Sequence, residues 1–370
     1  MASGLKFSRR LRRTPYTASV QCAGVTNFSV VNHMLLPTAY ERTVEEDFWH
    51  LREHVQIWDV GCQRQVQITG RDASRLIQWM TPRDISRARV GDCLYVPITD
   101  EKGGLINDPI LLKLAEDRFW LSVADSDLLL FAKGLALGHG LSVEVNEPDV
   151  SPLAVQGPKA EAVVCDLFGD SVRDIEFFKF GWVDFAGSRQ LIARSGYSRQ
   201  DGFEIYLNGE QLGAALWNAV WQAGQPYSIA PGYPNLIDRI EGGLLSYGND
   251  MTREHNPFEI GLGRFCNLNG EIDYLGRNVL KNLFDSGIKR QIRGILFDGN
   301  PCPACTESWP VKVDEQQVGQ VTSAIWSPRL NRNIGLSLIG REFWEPEQPV
   351  IVLSEDGIAR TGEVSALPFI

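Results

Sequence analysis

The chain has 370 residues and a mass of 41.3 kDa, enough for two or three packed units at roughly 150 residues each. Its 44% hydrophobic and 22% charged residues, with a mean hydropathy of −0.15, exclude a disordered or collagenous chain, and no apolar run nears the roughly 18 residues a membrane helix needs. A net charge of −10 argues against binding nucleic acid through a basic surface. Neither nucleic acid nor membrane is therefore an expected partner. Seven cysteines, odd in number and without regular spacing, fit a reduced, cytoplasmic protein. Lys6, Arg9, Arg10, Arg12 and Arg13 precede the first acid, Glu41. With Pro15 and no apolar leader, they read as a basic arm folded against an acidic body.

In chain order, Thr43 and Glu46 form a capping-box signature ahead of Val44, Phe48, Leu51 and Val55, which predicts an amphipathic helix to about His54. Strands are expected at 55–60 and 65–69, then a helix over 72–80 that stops before Pro82. Further strands are read at 94–98, 110–114 and 119–123, and a helix over Ser126–Leu137. The pattern then returns. Gln67-Ile68-Thr69-Gly70 followed by Ala73 is echoed by Leu153-Ala154-Val155-Gln156-Gly157 followed by Ala160, with both the glycines and the alanines 87 positions apart. A short helix to Phe168, strands at 182–185, 190–194 and 203–207 and a helix over 211–223 complete a second half. The expectation is a duplicated α+β body over 1–288, with halves at about 44–140 and 150–250. From 289 to 370 the chain is rich in strand and turn signals (294–297, 311–313, 319–322, 334–338, 350–353), which fits a small antiparallel barrel or sandwich.

Several motifs fail on inspection. His50, Glu53 and His54 match a zinc pattern, but zinc needs a third ligand and none follows; an exposed helix face is the simpler reading. Cys302 and Cys305 form a lone C-x-x-C without a second pair. No dinucleotide fingerprint, Walker loop or nucleophile elbow occurs, and no metal is expected.

Three stretches combine turn glycines, carboxylates and aromatics: Gly103-Gly104-Leu105-Ile106-Asn107-Asp108, Gly196-Tyr197-Ser198 through Gly202-Phe203-Glu204, and Arg239-Ile240-Glu241 through Tyr247-Gly248-Asn249-Asp250. Together with Ala154-Val155-Gln156-Gly157-Pro158 and the stretch Thr322-Ser323 to Ser327-Pro328-Arg329-Leu330, they resemble the glycine-cleavage T-protein superfamily of folate-dependent one-carbon transferases. Segments 31–37, 53–60, 80–84, 95–100 and 246–254 resemble its branch of demethylases that take a methyl from a sulfonium. At Asp59-Val60-Gly61-Cys62-Gln63 the chain departs from the aminomethyltransferase pattern.

The resemblance implies an α+β three-domain cloverleaf around a central channel. It also implies a tetrahydrofolate-dependent methyltransferase acting on a small zwitterionic methyl donor, in which a homodimer is one allowed assembly. A sulfonium methyl is already electrophilic, so in-line transfer needs orientation and a dry cavity rather than a covalent nucleophile. A cationic donor suits aromatic faces. Expected positions are Asp108 and Tyr206 for catalysis, and Glu204, Tyr197, Tyr95, Phe178, Arg194 and Arg239 for folate. Asn32, Tyr95, Val96, Pro97, Trp58 and Trp182 are expected at the donor, with His33 and the basic arm as further candidates for its carboxylate. Glu204 would grip paired pterin N–H donors; Asp108 would at least orient folate; Arg239 would meet a folate carboxylate or Glu241. Lys179, among aromatics, would repel a cationic substrate if it pointed inward, so either it faces solvent or the substrate differs. The alternatives are a demethylase of a betaine, N-methyl amine or aryl methyl ether, a glycine-cleavage aminomethyltransferase, and a folate-binding regulatory protein without turnover.

Overall fold

The computed structural model describes residues 8–125 and 127–370; Lys6 of the basic arm and Ser126 at the start of one expected helix lie outside the described residues. A five-stranded sheet runs in the order Glu144–Asn146, Arg64–Thr69, Arg118–Val123, Ile110–Ala115, Cys93–Tyr95, with every neighbour antiparallel. Helices Ala73–Met80 and Leu128–Gly138 bury Leu76, Ile77, Met80, Leu128 and Ala132 against its residues Val66, Ile68, Phe119 and Leu121. A six-stranded sheet follows in the order Phe180–Phe185, Ser188–Ala193, Gly202–Asn208, Val150–Gln156, Val55–Asp59, Ile229–Gly232; only the last pair is parallel. Helices Ala160–Phe168 and Gly213–Gly224 cover it.

The 87-residue echo has a geometric counterpart. Gly70 and Gly157 adopt φ of 121° and 123°, and each accepts the N–H of the alanine three residues on, at 2.9 and 3.0 Å. A Cβ at either would stand 2.6 Å from Ser142 O or 2.5 Å from His54 O, so both strand-to-helix corners demand glycine.

The two sheets meet through a shared apolar seam of Cys93, Leu112, Trp120, Phe180, Leu191 and Tyr206. Backbone bonds from Cys93 N to Phe178 O and from Phe180 N to Gly91 O, both 2.9 Å, tie the facing edges together. The C-terminal part is a closed six-stranded barrel, ordered Arg290–Phe297, Arg332–Gly340, Gln316–Ser327, Trp309–Val313, Pro349–Leu353, Ala359–Ser365, around Ile295, Phe297, Val311, Val321 and Val352.

The capping box at Thr43 forms as read, with Glu46 N donating to Thr43 Oγ1 at 3.2 Å and Thr43 N to Glu46 Oε2 at 2.7 Å, and the helix spans Val44–Glu53. The strand expected at 94–98 divides instead. Pro97 has no N–H to give a ladder, so Cys93–Tyr95 stays in the sheet while Ile98–Thr99 pairs with Leu105–Asn107. The last barrel strand, Ala359–Ser365, gave no apolar alternation to read. Nor did the hairpin of Asn27–Val31 with Met34–Ala39, which turns at Asn32 and His33, both with positive φ. No helix among the described residues is long and apolar enough to cross a membrane.

Candidate active site

The strand ending at Tyr95 and the loop after Asn107 bring a phenol and a carboxylate together: Tyr95 Oη donates to Asp108 Oδ2. Burial pushes the Asp108 carboxyl up to about 7; the Tyr95 bond pulls the other way and the Asp250 charge adds to the rise. Burial and the neighbouring Asp108 charge raise the Tyr95 phenol as well. Asn107 beside it is fully buried, and its Nδ2 donates to Asp125 O at 3.1 Å. Its Oδ1 accepts no hydrogen bond among the described residues, an unusual state for a buried amide.

The second carboxylate lies on strand Gly202–Asn208. Glu204 is 6% exposed, accepts a bond from Ser195 Oγ, and is raised above the usual carboxylate range by burial, with the Ser195 bond opposing. Gln156 binds the flanking loop: its Nε2 donates to Ser195 O at 3.1 Å, and Ser198 Oγ donates to its Oε1 at 2.7 Å. Gln156 of the Ala154–Pro158 motif thus fixes the loop that carries Tyr197, just ahead of the strand that carries Glu204. A buried carboxylate with one neutral partner favours a ligand bearing N–H donors.

The third motif builds a junction. Arg239, 5% exposed, donates to Asp250 Oδ2 at 2.6 Å, Leu244 O at 3.0 Å and Ser323 Oγ at 2.7 Å. Asp250 Oδ1 accepts in turn from Ser323 and Thr322 of the barrel, at 2.6 and 2.7 Å. Burial opposes the Arg239 charge, yet Asp250 and Tyr197 outweigh it and hold its pKa above the ordinary value. Glu241 goes to Ser327 at 2.5 Å and Arg329 at 3.4 Å, so the partner of Arg239 is Asp250 and not Glu241. The loop between them is closed by Tyr197 Oη on Leu245 O at 2.5 Å and Tyr247 Oη on Leu105 O at 3.0 Å.

Tyr95, Asp108, Tyr197 and Asp250 thus act on one another electrostatically across a single region. Other expected positions are placed elsewhere. Trp58 is 1% exposed, with Nε1 on Gln56 Oε1 at 2.8 Å, and Val96 is fully buried; both lie within packed apolar clusters. Pro97 is buried, and its carbonyl accepts from Thr81 Oγ1 at 2.6 Å. Asn32 gives its Nδ2 to the carbonyls of Cys62, Val123 and Ala124 at 2.7–3.0 Å, stapling the hairpin turn to the first sheet. Tyr206, 1% exposed, packs against Trp120 with centroids 6.1 Å apart and shares the buried seam with Glu204's strand. Trp182 is 40% exposed on an edge strand under Arg189. Arg194 is engaged by Asp201 and by Glu161 at 3.1 Å. Phe178, at φ 60°, sits at the seam between the sheets. Lys179 pairs with Asp92.

The basic arm reaches the body through Arg12, 2.7 Å from Glu147. The rings of His50 and His54 lie tilted with centroids 5.0 Å apart, His50 bonded to Ser228 O and His54 to Lys159 Nζ, and no metal-holding cluster occurs among the described residues. Two open cavities, of about 390 and 210 Å³, are lined by Lys102 and Arg253 and by Arg52, Arg199 and Arg329, away from both carboxylates. Sequence reasoning gave no role to Ser195, Arg83, Phe265 or Arg264. Arg83 stood inside a stretch already quoted for its resemblance, and Ser195 directly precedes the Gly196-Tyr197 motif. For Arg264 and Phe265 there was no local signal.

Comparison with known proteins shows the family and the fold. Residues 19–270 match the GCVT N-terminal domain and residues 290–370 match the glycine cleavage T-protein C-terminal barrel domain. The chain is 49% identical over 351 residues to the dimethylsulfoniopropionate demethylase of Ruegeria pomeroyi, covering 95% of each chain. It is 33% identical over 316 residues to an aminomethyltransferase of Clostridium botulinum, covering 83% of this chain and 84% of the relative. The solved aminomethyltransferase T of Bartonella henselae superposes with a TM-score of 0.87 over 97% of this chain and 98% of that one at 24% identity, a likeness of fold.

Proposed function

The chain belongs to the glycine cleavage T-protein family, and on that premise we propose that it is a tetrahydrofolate-dependent methyltransferase that demethylates dimethylsulfoniopropionate. The observation that carries the substrate is the 49% identity, end to end, with an enzyme named for that reaction, against 30–33% over 83% of this chain for aminomethyltransferases.

Tetrahydrofolate, when bound, supplies the nitrogen that accepts the methyl. Transfer breaks the sulfur–methyl bond, leaves its electron pair on sulfur as a neutral thioether, and forms a nitrogen–carbon bond; the acceptor nitrogen sheds one proton. Glu204 holds the pterin amide edge with its buried carboxylate, and Ser195 fixes that carboxylate's rotamer. Asp108 takes the released proton, since a carboxyl near 7 accepts and returns protons readily at neutral pH. Tyr95 holds Asp108 in place through its hydroxyl. Tyr95 and Tyr197 present rings to a cationic donor, and the apolar seam behind Tyr206 keeps water out. Arg239 acts on the reaction only through position, by fixing the loop that Tyr197 and Tyr247 close.

Purified protein with tetrahydrofolate and, separately, dimethylsulfoniopropionate, glycine betaine, dimethylglycine or an aryl methyl ether tests the reading. 5-Methyltetrahydrofolate should form with the sulfonium alone. Product only from another donor refutes the substrate, and folate binding without any product refutes the enzyme.

A further inference from the structure

Two guanidinium groups share one ring at the edge of this site. Arg83 and Arg264 each lie 4.8 Å from the centroid of Phe265, and that ring meets Tyr95 edge-on at 5.7 Å. Arg83 is fixed by a bond from Nη1 to Tyr95 O at 2.6 Å. Arg264 is exposed and its only partner among the described residues is the ring; neither arginine enters an ion pair there.

The chain has 46 acids to 36 lysines and arginines, so acidic partners were plentiful and two neighbouring guanidiniums still went without one. Like charges on one ring repel, and burial together with the Arg264 charge draws the Arg83 pKa below its ordinary value. Stacking on Phe265 offsets part of this. An anion beside the open fork of Arg264 offsets this repulsion, and a carboxylate matches a guanidinium fork by two parallel hydrogen bonds. Tyr95 then links that anion to Asp108: its carbonyl holds Arg83, its ring meets Phe265, and its hydroxyl meets the acid.

We propose that Arg83 and Arg264 form a carboxylate clamp at the Tyr95 edge of the active site, with Arg264 as the open fork and Arg83 as the fixed charge behind it. The inference rests on the proposed function, which brings in two carboxylate-bearing molecules: folate, through its glutamate, and the zwitterionic donor. The chemistry is the same for both.

Calorimetry on the full chain separates them. Wild type, Arg264→Gln and Arg264→Lys are titrated with tetrahydrofolate and with 6-methyltetrahydropterin, which has no glutamate. They are then titrated, with folate present, with dimethylsulfoniopropionate and with trimethylsulfonium, which has no carboxylate. Arg264→Gln should weaken one carboxylate-bearing ligand about tenfold or more and leave its carboxylate-free counterpart within about twofold, and Arg264→Lys should recover part of the loss. A loss on folate assigns the clamp to the glutamate, and a loss on the zwitterion assigns it to the donor. Equal losses within a pair, or none in either, overturn the clamp. Wild type that binds both ligands yet transfers no methyl overturns the proposed function while the clamp result stands.

Discussion

The Tyr95 hydroxyl donates to the Asp108 carboxylate, so the proton affinity that burial gives this acid is held down by a phenol 13 positions earlier in the chain. Asp108 binds its proton more tightly when folded, up to about 7, and its charged, proton-accepting form therefore accumulates as pH rises through that value. Activity should rise with pH across a limb near 7. Tyr95→Phe removes a bond that lowers the Asp108 pKa, so the limb should move to higher pH. Asp108→Asn should abolish it and slow turnover by roughly 10²-fold. A pH–rate profile of the three proteins checks this.

Glu204→Gln keeps the size of the side chain and its contact with Ser195 while removing the charge. Charged hydrogen bonds of about 1.5–3 kcal/mol convert to a 10- to 150-fold weaker folate Kd. The fold should be unchanged, because a neutral amide is cheaper to bury than this raised carboxylate. Calorimetry with tetrahydrofolate, alongside far-UV circular dichroism, reads both.

Asn32→Ala should act on stability. The amide serves three backbone carbonyls at a turn residue with φ 52°, so its loss costs about 2–4 kcal/mol and lowers Tm by several degrees. Asn32→Gly, which accepts the positive φ, should cost less. Below the transition, the KM for the methyl donor should be that of wild type.

Asp250→Ala leaves the Arg239 guanidinium buried without its charge partner and strips Thr322 and Ser323 of their acceptor. Breaking a buried pair on one side costs about 3–5 kcal/mol. Urea unfolding should show that loss, along with a weaker coupling between the barrel and the body.

The sequence displayed the local half of this architecture. Thr43 and Glu46 sit at capping distance, and Gly70 and Gly157 mark the two strand-to-helix corners, because caps and positive φ are decided within a few residues. The barrel strands with apolar alternation were legible; Ala359–Ser365 was not, since Val364 is its one apolar residue in the barrel core and ladders with Arg290–Phe297 and Pro349–Leu353 hold the rest. At the site, Glu204 and Asp108 stood out through their motifs. Arg239 did not reveal its partner, because Asp250 and Ser323 reach it by tertiary packing. Aromatic identity alone also failed to separate Tyr95, at the acid, from Trp58, in the core, since both sit on strands and only the sheet they face differs.

The most direct test of the proposed reaction is mass spectrometry of the folate product after incubation with dimethylsulfoniopropionate carrying two CD₃ groups on sulfur. The expected product is tetrahydrofolate bearing one intact CD₃, formed in equal amount with singly methylated 3-methylmercaptopropionate. Unlabelled folate, or a label that arrives with fewer than three deuterons, would contradict direct methyl transfer by this protein.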